Sequence, residues 1–265
     1  MSEQKTFLFS TALYALLPLL FLLTIDMVAM FEGYSFFRAI SHFSFAIFIA
    51  QFVCQIVYLR GEICPGQRGR LVQLNFIFAL FWGIWFCLSL FSNYHYILMD
   101  IMAICGMIAC ISVWGQPQQE KLRHSLLFIG VIALGLGGII YFWLLSYLPR
   151  VTWLQFSPFS QLGIGIILAY FLLILSKNRL QNFIALLPLI AIFALIVNAI
   201  FALVMLWLYQ NEFADVMLYY ALYFILHLVL LVFWAYPIWY KKRLNNIALL
   251  LMLEISVCLP ILAMV

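Results

Sequence analysis

The sequence predicts an all-α fold: a polytopic bundle of about nine transmembrane helices, N-terminus inside and C-terminus outside. Three observations carry that prediction. The chain of 265 residues is 68% hydrophobic and 8% charged, with a mean hydropathy of +1.15. A soluble domain carries about 25% charged residues, and no water-soluble fold hides this much apolar surface, so the solvent of this chain is lipid. The apolar runs are long and unbroken, without the period-two alternation of a membrane β-barrel. The basic residues concentrate in alternate connections, as the positive-inside rule requires.

A spanning helix needs about 20 apolar residues. Runs that meet this lie near 7–31, 36–59, 71–93, 95–114, 125–148, 160–176, 182–209, 215–240 and 245–264. The first is too long for a signal-peptide core and has no small-residue cleavage site after it, so it reads as a retained span. Only "SNYHY" separates the third from the fourth, and the sixth is short. The polar stretch 60–70, "RGEICPGQRGR", reads as a loop. No second domain or internal repeat stands out, so 1–265 reads as one multi-pass domain of the bacterial cytoplasmic membrane. With the N-terminus inside, eleven of the thirteen basic residues face inward, and only Arg38 and Arg150 do not. Trp153, Phe156 and Phe159 read as part of an interfacial aromatic belt.

The net charge of +4 is spread over short inner loops. It is a topology signal and offers no face for nucleic acid. The six cysteines have no metal or redox spacing, and no metal or bound cofactor is expected.

The ionisable residues inside the spans are the functional candidates, because a charge at membrane depth costs about 2.5–3.5 kcal/mol on insertion scales. Asp26 falls near the outer end of the first span, with Glu32 beyond it. Arg38 and His42 follow in the second span, at a spacing of i, i+4 that puts them on one helix face. His95 and Asp100 enter the fourth span from the same side. The bland reading is an Asp26–Arg38 pair closing the first hairpin. His227 lies deepest, on a stripe with Tyr220 and Tyr223 at i, i+3, i+7, and its own bland reading is a packed, hydrogen-bonded histidine. Glu254 is a mid-depth carboxyl in the last span.

Two stretches, "LLFLLTIDMVAMF" and "FFRAISHFSFAIFIA", resemble the start of TraX-type proteins, the membrane acetylases of conjugative pilin. Asp26, Arg38, Phe45 and Phe48 fall in step with that family's pattern. Late in the chain "YFILHL" is similar to its Phe-Tyr-Pro-x-His-Leu run, with His227 and Leu228 matching directly. The chain departs from the pattern at Met27, His42, Ala46 and Ile225, and has an extra span after "HLVLL". The resemblance covers about a quarter of the chain. It implies acetyl transfer from acetyl-CoA to a pilin or other envelope acceptor. Acyl transfer needs a base and an oxyanion stabiliser. His227 or His42 would serve as base, Asp26 would orient it and Arg38 would hold negative charge. Tyr220, Tyr223 and Asp100 would contact substrate. Two other classes fit the same residues: a proton-coupled transporter, which uses intramembrane Asp, His and Glu, and a non-catalytic assembly or immunity protein. The depth difference between His42 and His227 argues against bis-histidine haem ligation.

Overall fold

The computed structural model describes residues 2–32, 39–60, 63–91, 95–177, 180–210, 217–242 and 244–263. All regular structure among them is helical, as lipid demands of a chain whose backbone amides must bond within their own segment. Each of the nine predicted runs is occupied by helix. The first holds α1 (Ser2–Glu32), the second α2 (Ser44–Arg60), and the third α3 (Pro65–Leu74) with α4 (Phe76–Phe91). There follow α5 (Ile97–Trp114), α6 (Glu120–Tyr147), α7 (Pro158–Leu175), α8 (Gln181–Leu208), α9 (Met217–Tyr240) and α10 (Asn246–Leu262). Among the described residues, seven segments are long and apolar enough to cross a membrane; α2 and α10, at 17 residues each, fall just below that length.

Two expectations are corrected. The stretch 60–70 is not all loop, because Pro65 starts α3, a position where its missing N–H costs nothing. Gln67 and Arg70 then donate to the Lys177 and Ser176 carbonyls, at 3.0 and 2.9 Å, tying α3 to the end of α7. The second helix does not begin near 36. Residues 39–43 are non-helical and buried, and α2 starts only at Ser44. Irregular backbone at this depth is tolerated only where protein groups satisfy it, and the groups that do so form the site below.

The centre of the bundle is α7, nearly every residue of which is buried. It packs against α2, α8 and α10, while α6 packs on α2 and α5. The α2–α7 approach depends on Gly165: a Cβ there would stand 2.5 Å from the Ala46 carbonyl oxygen. A Cβ on Gly137 would likewise strike the Phe48 ring. On the outside, Phe128, Ile132, Leu136, Ile139 and Trp143 form an exposed apolar stripe on α6, a surface that suits hydrocarbon.

Candidate functional site

The irregular segment 39–43 delivers the chain into α2 beside the last turns of α1. Asp26, fully buried on α1, receives it. Its carboxylate accepts the His42 backbone N–H at 2.7 Å and the Ser41 hydroxyl, and lies 3.2 Å from His42 Nδ1. Ser41 Oγ in turn accepts the Phe43 N–H at 3.0 Å. An anionic acceptor at the start of α2 is favourable, because the first amides of a helix have no partner within it and carry positive partial charge.

From α7, Gln161 completes the cap. Its Oε1 accepts the Phe45 and Ala46 amides at 2.8 and 3.2 Å, and its Nε2 donates to the Tyr141 hydroxyl. The Tyr141 hydroxyl donates to the Phe156 carbonyl. The His42 ring stacks on the Phe156 ring, with centroids 4.3 Å apart and planes inclined by 16°. Phe156 is therefore buried against the site and is no part of an interfacial belt. The His42 ring and the Tyr141 hydroxyl on its carbonyl hold it there.

A second cluster adjoins the first through Ser157. Ser157 caps α7 and donates to Asn198 Oδ1 at 2.7 Å. Asn198 Nδ2 lies 2.7 Å from the Tyr223 hydroxyl and 2.8 Å from His227 Nε2. His227 Nδ1 lies 2.9 Å from the Tyr223 carbonyl, one turn back on α9. The stripe Tyr220, Tyr223, His227 is buried. In this arrangement the Nδ1–H donates to the carbonyl and Nε2 accepts from the amide, so both ring nitrogens of His227 are engaged. On His42, by contrast, the described partner is at Nδ1 alone. The two histidines are linked through Phe156, Ser157 and Asn198, by ring stacking and hydrogen bonds.

Of the remaining candidates, Arg38 lies outside the described residues, and with it the expected Asp26–Arg38 pair. Its expected i, i+4 relation to His42 presupposes a helix across 39–43, which is not there. Asp100 is buried in the first turn of α5, and its Oδ2 lies 3.4 Å from Nδ1 of His95 just before that helix. No hydrogen bond among the described residues joins it to Asp26. Glu254 is exposed on α10.

Charge counting missed the amides. Gln51, Gln55, Gln161 and Asn198 are uncharged, yet each is buried within an apolar run, which was the available signal. Gln51 accepts the Trp82 indole N–H at 2.8 Å and donates to the Gly106 carbonyl at 3.2 Å. Gln55 donates to Ser112 Oγ at 2.8 Å. With Tyr58 and Asn75 these two glutamines line a small cavity of about 10 Å³. Buried polar side chains thus recur along α2, Ser44 at its start and Gln51, Gln55 and Tyr58 from its middle onward.

Fold and site together define a polytopic helical membrane protein whose broken second segment is held by a buried carboxylate and amide network. A family model described as an integral membrane domain matches residues 4–265, and the chain belongs to that family. It is 36% identical over 264 residues to a protein of Haemophilus influenzae named only as uncharacterized, with 98% of each chain covered. No solved structure matches it.

Proposed function

We propose that the protein is an acyl transferase of the cytoplasmic membrane in which His42 is the general base and Asp26 the carboxylate that orients it. The observation that carries this reading is the Asp26–His42 contact, 3.2 Å from Oδ1 to Nδ1. A carboxylate on Nδ1 fixes the tautomer with its lone pair on Nε2, the arrangement used to activate hydroxyl and amine nucleophiles. The acceptor's oxygen or nitrogen attacks the thioester carbonyl of acetyl-CoA while its proton passes to His42 Nε2. The carbon–sulfur bond then breaks, the CoA thiolate takes the proton back from the imidazolium, and an ester or amide remains. Arg38, by the TraX resemblance, stabilises the oxyanion, and Tyr220, Tyr223 and Asp100 contact the acceptor, a pilin or other envelope component. The chain has nine spans, N-terminus inside and C-terminus outside. A reporter fused at Val265 is expected to be active only outside the cytoplasm, and cytoplasmic activity would sink the span count.

The test of the chemistry is His42→Gln, since glutamine keeps a hydrogen bond and cannot act as a base. Transfer of labelled acetyl groups from acetyl-CoA to the envelope fraction, per unit of protein in the membrane, is expected to fall about 100-fold or more. Undiminished transfer would remove His42 as the base. His227→Gln in the same assay separates the two histidines. With both ring nitrogens of His227 engaged, its loss is expected to lower the amount of folded protein more than transfer per folded molecule.

A second reading, a proton-coupled carrier, is favoured by the buried Gln51, Gln55 and Tyr58 of α2. Proton entry into sealed vesicles without any acetyl transfer would select it.

A further inference from the structure

We infer that the cleft between α8 and α9, at the end of the bundle bearing Lys241 and Lys242, is a binding site for an anionic phospholipid. The cavity there has a volume of about 510 Å³ and is lined by the exposed Lys241 and Lys242 and by Asn182, with the buried Tyr170 behind them. Its deeper wall is apolar, formed by Ile184, Pro188, Leu189, Pro237 and Ile238. Two features of the sequence produce it. Pro188 and Pro237 sit inside α8 and α9. Each deletes a backbone hydrogen bond and its ring crowds the preceding turn, which favours a bend, and both prolines line the gap. Lys241 then ends α9 in the left-handed region, with a φ of 52°. A side chain other than glycine adopts this conformation at a cost, and here it brings two consecutive lysines to the cavity mouth.

The lining dictates the ligand. The two lysines are consecutive in the chain, like-charged, and both line the cavity. No carboxylate lines the cavity, and no ion pair among the described residues neutralises either lysine. A phosphate would compensate both and accept from the Asn182 amide. A soluble anion would leave the apolar wall unused, whereas a lipid would lay its glycerol and first methylenes along Leu189 and Ile238 with its tails in the bilayer. Basic pockets between helices at the cytoplasmic surface hold anionic headgroups on this principle. The inference is independent of acyl transfer, since the cleft contains none of the residues assigned to it.

The purified full-length protein in detergent tests this by native mass spectrometry and thermal melting. The probes are phosphatidylglycerol, phosphatidylcholine and inorganic phosphate. Retention and stabilisation by phosphatidylglycerol alone are expected. The double variant K241Q/K242Q is expected to weaken it about 10-fold or more, at roughly 1 kcal/mol per cation. Leu189→Trp, which fills the apolar wall and spares the lysines, is expected to displace the lipid too, and so guards against a variant that merely misfolds. Equal retention of phosphatidylcholine, unchanged binding in both variants, or inorganic phosphate matching the lipid would each overturn the assignment.

Discussion

Replacing Asp26 with alanine is expected to destabilise the folded protein by about 3–5 kcal/mol, the range for removing one member of a buried charged or strongly polar set. The carboxylate is fully buried and accepts from Ser41, from the His42 backbone and from the His42 ring. Alanine strands all three donors at a point where the chain is not helical and no intrahelical carbonyl can replace it. Asp26→Asn keeps one carbonyl acceptor and is expected to fall between wild type and alanine. The measurement is the monodisperse fraction after detergent extraction together with the unfolding midpoint. An Asp26→Ala protein that unfolds like wild type would show that residues 39–43 are held by something other than the carboxylate. The expected ladder, wild type above Asn above Ala, also distinguishes acceptor loss from simple overpacking, because both replacements are no larger than aspartate.

The second large effect is expected at Gln161. Methionine matches its length and supplies no hydrogen bonds. Gln161→Met removes the acceptor of the Phe45 and Ala46 amides and the donor to Tyr141. Each stranded group costs about 1–3 kcal/mol when buried. Because Tyr141 also bonds the Phe156 carbonyl, the two side chains act as one unit. Tyr141→Phe and Gln161→Met are therefore expected to be non-additive by at least about 0.5 kcal/mol in a double-mutant cycle. Strict additivity would mean that Gln161 caps α2 without help from α6. These two variants bear on function as well, because Phe156, whose carbonyl Tyr141 holds, is the surface on which the His42 ring is stacked.

Composition and the length of the apolar runs were sufficient to determine that this chain is a helical membrane protein and which stretches hold most of its helices. A backbone in hydrocarbon must satisfy its own amides, and an unbroken run of about 20 apolar residues has one way to do so. The ionisable residues at depth likewise marked Asp26 and His42 as candidates, because their cost of burial is readable from identity alone. The sequence could not say what they pair with. Arg38 was the obvious partner by charge, yet the described partners of Asp26 are a hydroxyl, a backbone amide and an imidazole. Only tertiary structure decided that α2 begins at Ser44 and that its first amides are capped by Gln161, 116 positions away in the chain. It also decided that Phe156 lies beneath His42. The physical reason is that lipid and protein interior are both apolar. Hydrophobic periodicity, which in water reports the buried face of a helix, is nearly silent here about which face of α6, α7 or α9 turns inward. The inward face is set by close approach at glycines such as Gly165 and by hydrogen bonds among uncharged amides, and both become visible only when distant segments are brought together.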